Sequence, residues 1–145
     1  MKLSTLALAL AITFGASAAF AQAVAGPADI EKRLVAAGYS EVRDIEFDDG
    51  LWEAEVRGAD GRWHDVAVHA DSGEVLDDRG PRALLSAAEV VKRIEAAGYT
   101  QVHDLDLDDA VWEADALDAK GERVELRING HTGAVMSVES ERWDD

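Results

Sequence analysis

Cysteine is absent from this chain, and that omission closes several routes. No disulfide can brace the fold, no thiolate can act as nucleophile or metal ligand, and no lipid can be attached through a cysteine. Basic residues are scarce: 14 Lys and Arg stand against 30 Asp and Glu in 145 residues, a formal net charge of −16. Such a chain repels nucleic acid and anionic bilayers, so neither is expected as a partner. Proline occurs only at Pro27 and Pro81, which leaves the rest free for helices and strands. There is no G-x-S-x-G elbow, no H-E-x-x-H helix and no glycine-rich phosphate loop, so no reaction is named by motif and no cofactor is expected.

A long apolar run is also missing, except at the start. Lys2, the apolar stretch Leu6 to Phe14 and the small-residue ending Ala19-Phe20-Ala21 read as an export signal over 1-21, cut after Ala21. The run is too short to span a bilayer, so no membrane insertion is expected after cleavage. Losing Lys2 takes the formal charge from −16 to −17. The expected location is periplasmic or secreted.

What the rest of the chain does have is a repeat. Residues 28–76 recur at 88–136 with a constant offset of 60 and no gap. Gly38-Tyr39 falls on Gly98-Tyr99, Asp48-Asp49 on Asp108-Asp109, and Trp52-Glu53-Ala54 on Trp112-Glu113-Ala114. The expected organisation is module 1 over 26-77, a linker over 78-85, module 2 over 86-138 and an acidic tail over 139-145. Units of this size are marginal alone, so the copies should share an interface.

Each copy opens with a helix. Ser86 with Glu89 forms a capping box, Leu85 and Val90 a hydrophobic staple, and Pro27 suits a first turn. Ile30, Leu34 and Ala37, and Val90, Ile94 and Ala97, make apolar stripes, while Asp29–Arg33 and Glu89–Arg93 are i, i+4 pairs. Gly38 and Gly98 stop the helices. The period then changes to two. Val42–Phe47 and Val102–Leu107 alternate, Asp-rich turns follow, and second strands carry Trp52 and Trp112 on the core side.

In the third strands, Val124, Leu126 and Ile128 face the core, and Arg123, Glu125, Arg127 and Asn129 face solvent. The same phase puts His64, Val66 and Val68 inward and Trp63, Asp65, Ala67 and His69 outward. Short fourth strands follow Gly73 and Gly133. The fold class is therefore α+β: two tandem modules, each one helix packed on a four-stranded antiparallel sheet in the order α-β-β-β-β.

The succession of helix, Gly-Tyr, acidic-apolar strand, Trp-Glu-Ala-Glu-Val strand, Asp60-Gly61 turn and Asp71-Ser72-Gly73-Glu74-Val75-Leu76 ending resembles the PepSY domain, a peptidase propeptide and YpeB-type domain. Copy two, closing on His131-Thr132-Gly133-Ala134-Val135-Met136, resembles it too, with Ala134 replacing the Glu of the ending. The resemblance implies a small exported bacterial protein with no catalytic residues and a protein-binding or protease-inhibiting role.

Metal chemistry has weak candidates. Asp104, Asp106 and Asp108 imitate the start of a calcium loop, but Asp109 replaces the required Gly and the alternation is that of a solvated strand face. Asp48, Asp49, Asp108 and Asp109 sit at turns, where Asp caps its own backbone. Weak calcium or magnesium binding through these six is the alternative reading. His64 and His69 point to opposite faces and cannot share one metal, while His103 and His131 lack ligands nearby in sequence.

Trp63 replaces Arg123, His69 replaces Asn129, and binding residues are expected where the copies differ. An outward Trp63 is either a binding anchor or a plug between the modules. The expected function is thus a non-enzymatic, exported protein-binding module, inhibiting or modulating a secreted or periplasmic protease or an envelope sensor. Trp63, Asp65, His69 and Trp143 form the expected surface, with strand addition at a sheet edge as another mode. Acidic cation binding and a hydrolase with a hidden carboxylate pair are the alternatives.

Overall fold

A computed structural model describes residues 26–140. Helix α1 (Pro27–Ala36) precedes strands β1 (Glu41–Asp48), β2 (Leu51–Arg57), β3 (Trp63–His69) and β4 (Val75–Leu76). Helix α2 (Ala87–Ala96) precedes β5 (Thr100–Asp108), β6 (Val111–Leu117), β7 (Arg123–Asn129) and β8 (Val135–Ser140). Each set of strands forms its own antiparallel sheet, paired in sequence order. This is the expected α+β plan of two tandem modules. The export segment and Trp143 lie outside the described residues.

Local chemistry sets the helix ends. Ser86 accepts from the Glu89 N–H while Glu89 accepts from the Ser86 N–H, the reciprocal box that the sequence predicts. Helix α1 has Pro27 in its first turn and Gly26 as an N-cap without a side-chain bond. Gly38 and Gly98 follow the helices at φ of 108° and 100°, a conformation that carries no Cβ penalty in glycine. The stripes are narrower than expected. Ile30, Leu34, Val90 and Ile94 are buried, but Ala37 and Ala97 are exposed C-caps because the helices stop there. Nor does Arg33 reach back to Asp29: its guanidinium donates to the Gly73 carbonyl at 2.9 Å and ties α1 to the β3–β4 turn.

The inner face of each sheet meets its helix. Ile30 and Leu34 pack on Ala54, Val56, Val66 and Val68, while Val90 and Ile94 pack on Ala114, Ala116, Val124, Leu126 and Ile128. Trp52 and Trp112 border these cores and are only half-buried, because the short helices do not extend that far. Phe47, on the expected core phase, is 55 % exposed and rests on Trp52 with ring centroids 4.9 Å apart.

A third apolar cluster joins the modules. Leu51, Ala67 and Leu76 of module one meet Ala110, Val111 and Met136 of module two, with Leu84 alongside. Leu51 and Val111, like Leu76 and Met136, are equivalent positions of the repeat, so each module offers the same corner of its outer sheet face. Burying Leu51 and Leu76 contributes about 1.5–3 kcal/mol each. This docking corrects the face assignment for the third strands. Ala67, Arg127 and Asn129 have the outward phase, yet Ala67 is 3 % and Asn129 2 % exposed, and the Arg127 side chain only 12 %. Their outside is the other module.

Candidate functional site

Module two covers only one corner of the outer face of module one's sheet. The remainder carries Glu41 and Arg43 on β1, Glu55 and Arg57 on β2, and Trp63 and Asp65 on β3, brought side by side by the strand register. The Arg43 guanidinium lies over the Trp63 ring, 4.0 Å from its centroid, and also makes a two-pronged pair with Glu55 at 2.7 and 2.9 Å. The Arg43 hydrogen bonds hold the Glu55 carboxyl below its usual range. Trp63 is therefore no plug between the modules: it is a half-exposed aromatic beneath a fixed cation. Asp65 is exposed beside it, whereas His69 lies at the far end of β3, its ring Nδ1 paired with Ser72 Oγ at 2.9 Å.

The equivalent place in module two explains the one grouping of metal-ligand type among the described residues. His103, Asp104 and Asp115 bring one ligand atom each within 4.8 Å of one another, which sequence spacing does not reveal. They occupy the positions of Arg43, Asp44 and Glu55, with Arg123 in place of Trp63. Both trios contain the same bulge, which sets Asp44 and Asp104 at φ of 51° and 49° and turns them toward the neighbouring Arg43 or His103. His103 thus substitutes for an arginine in an exposed charge cluster, and Arg123 shares its shallow pocket.

The acidic turns fall into unlike environments. Arg127 Nη2 donates to Asp48 Oδ2 at 2.8 Å, with Asp49, Glu53 and Glu113 within 3.5–3.8 Å of the same guanidinium. The position equivalent to Arg127 is Ala67, and it lines, together with Arg127, Glu53 and Glu113, the small cavity that also holds Asp108 and Asp109. Burial, then the charges of Asp108, Asp65, Asp78 and Glu53, push Asp109 up to about 6. Asp104 and Asp106 stand exposed on the bulged β5, and Asp106 accepts from the Leu107 N–H. The six aspartates do not converge.

One buried polar group distinguishes the modules further. His64 is inward as expected, 8 % exposed, and its Nε2 lies 3.3 Å from both carboxylate oxygens of Asp77. Asp77 also accepts from the Tyr39 hydroxyl and the Arg79 N–H. Burial acts against the Asp77 charge, but the bonds from Tyr39, Arg79 and His64 outweigh it and hold the carboxyl below its usual range. Burial and donation to Asp77 push the Tyr39 hydroxyl up.

A family model described as peptidase propeptide and YPEB domain, PepSY, matches residues 5–79 and 77–139. The chain belongs to the PepSY family. No curated protein matches it at a significant level. The first segment contains α1 and β1–β4 and starts well before α1, the second contains α2 and nearly all of β5–β8, and PepSY domains are typically non-catalytic propeptide or regulatory modules. No helix among the described residues is long and apolar enough to cross a membrane.

Against this PepSY frame, the network of Tyr39, His64 and Asp77 is an addition peculiar to module one. Module two has Val124 and Ser137 where module one has His64 and Asp77. In the sequence Asp77 stands at the end of module one, away from every candidate site residue named there. The signal was present all the same: two polar partners change to two non-partners together between aligned copies.

Proposed function

We propose that this PepSY protein is an exported, non-enzymatic protein-binding module that modulates a secreted or periplasmic protease or an envelope sensor through the open outer face of module one. The observation that carries the reading is the Arg43–Trp63–Glu55 platform beside Asp65. An aromatic stacked under an ordered arginine offers a large contact at small entropic cost, and Trp and Arg are the residues that most often anchor protein interfaces.

The sheet edges favour a face over an edge as the docking mode. Strand β4 has two residues, while β1, β5 and β8 each carry a bulge or register shift. Interrupted edges of this kind are poor templates for an added strand. Asp65 is retained as part of this surface; His69, held by Ser72 next to the module junction, is peripheral to it.

Capture from an envelope extract with the purified protein as bait, followed by mass spectrometry, tests the reading. Trp63→Ala should retain the fold and lose the captured partner. Recovery of the same partner at the same yield by the Trp63→Ala bait would exclude this face.

A further inference from the structure

Between the carbonyl end of α1 and the β2–β3 turn of module one lies an open cleft of about 400 Å³. Ala37, Gly38, Tyr39 and Ala59 form its walls, and Asp60, His64 and Asp77 supply its polar end. Asp77, ionised, can only accept, so the His64 nitrogen facing it carries the proton and in the neutral ring Nδ1 is a lone-pair acceptor. That nitrogen is buried and has no hydrogen-bond partner, in a side chain 6 % exposed. A buried acceptor left unpaired is destabilising, and a bound donor relieves it.

The backbone packs close to this nitrogen without covering it by a side chain. A β-carbon built on Gly58 would stand 3.7 Å from His64 Nδ1 and 3.2 Å from both His64 Cε1 and Asp60 Oδ1. Glycine at 58 thus leaves the Nδ1 edge of the ring facing Asp60 across the cleft lining. Module two has Asp118 at this position, and it closes its own turn by accepting from the Lys120 and Glu122 N–H groups. Module two also has Lys120, Val124 and Ser137 where module one lines the cleft with Asp60, His64 and Asp77.

The donor these surroundings select is cationic. Asp60 and Asp77 supply negative charge, and the C-terminus of α1 adds the negative end of its dipole. The small apolar walls suit an aliphatic stem. We propose that the cleft binds an alkylammonium group, which donates to His64 Nδ1 and pairs with Asp60 while its stem lies along Ala37, Gly38 and Ala59. Arg79, exposed and also lining the cleft, opposes that charge and limits the affinity. A metal ion is the poorer fit, because Asp60, His64 and Asp77 line the place without bringing their ligand atoms together as a metal needs.

Titration calorimetry with Nα-acetyl-lysine amide, on the whole mature chain, tests the site. Saturable binding is expected, with none for the Nε-acetylated analogue, which lacks the charge. His64→Val, the residue that module two already carries in its core, should weaken binding about tenfold or more, the loss of one charge-assisted bond. Arg79→Ala should strengthen it. If His64→Val fails to fold, Asp60→Asn on the exposed turn takes its place, with weaker binding expected. Equal binding of the acetylated analogue, indifference to both substitutions, or no saturable binding would overturn the proposal. So would zinc binding that depends on His64 in the absence of any amine binding.

A free diamine and a lysine within a peptide share this chemistry. Tighter binding of putrescine than of a lysine-centred tripeptide assigns the site to a free amine, and the reverse order to a partner's lysine. The proposal does not depend on the outer face: Trp63→Ala should leave amine binding unchanged, so either reading can fail alone.

Discussion

Arg127 of module two donates to Asp48 of module one at 2.8 Å, whereas the residue sixty positions earlier, beside Asp108 and Asp109, is Ala67. The two modules dock through equivalent corners, so symmetry would supply two clamps; the chain has one. The interface is therefore electrostatically lopsided: four carboxylates gather around the one guanidinium, and Asp109, which lines the same cavity, lies among like charges.

Arg127→Met should separate clamp from packing, since the methionine keeps most of the apolar stem. The guanidinium is nearly buried but its partners are 39–59 % exposed, which puts the cost between that of exposed and buried pairs. A loss of about 2 kcal/mol in urea unfolding is expected. Part of it should return in high salt, as the repulsion left among Asp48, Asp49, Glu53 and Glu113 is screened. An unchanged midpoint in low salt would show that the clamp adds nothing to the junction.

Asp109→Asn should act in the opposite direction. A carboxyl whose folded value is raised, here from 3.8 to about 6, costs nothing below the unfolded value and progressively more as pH climbs through the folded one. The variant should match the parent at pH 3.5 and exceed it above pH 6.5. The gain is on the order of 1 kcal/mol after allowance for the exposure of the group. Equal stability of the two proteins at pH 7.5 would sink this account of the interface.

His64, Asp77 and Tyr39 should behave as a unit. Asp77→Ser strands the His64 N–H and the Tyr39 hydroxyl at once, and a cost of about 2–3 kcal/mol is expected. His64→Val together with Asp77→Ser reproduces the pair found in module two and should cost less than the sum of the single changes. A double-mutant cycle that closes with zero coupling would mean the contact contributes nothing. The pH dependence has its own sign. Because the Asp77 carboxyl is held low, its contribution is complete above pH 3.8 and disappears as pH falls through the folded value, so Asp77→Ser should be least damaging in acid.

Which parts of this were legible beforehand follows from the range of the forces involved. The helix starts, the Gly38 and Gly98 stops and the inward phase of His64 are local consequences of capping and period, and they appear as the sequence predicts. The burial of Ala67, Arg127 and Asn129 was missed because outward phase says nothing about what lies outside. An interface was expected from module size, but its position depends on Leu51, Leu76, Val111 and Met136 meeting across the repeat. Bulges were missed too: Asp44 and Asp104 look like regular strand residues, yet at φ of 51° and 49° they shift the register and carry Arg43 and His103 to their carboxylates.

The unequal helix starts give a last comparison within one molecule. Ser86 and Glu89 satisfy two N–H groups at the start of α2, while Gly26 offers α1 no side chain. Ser86→Ala should lower stability by about 1 kcal/mol. Gly26→Ser should raise it by only a few tenths, because glycine is already a fair N-cap and its φ of −178° is open to any residue. Amide hydrogen exchange distinguishes a local from a shared effect. If the modules are coupled through Leu51 and Val111, Ser86→Ala should speed exchange on β2 and β3 of module one as well as on α2. Faster exchange confined to α2 and its own sheet would show that each PepSY module unfolds alone and that the junction is too weak to link them.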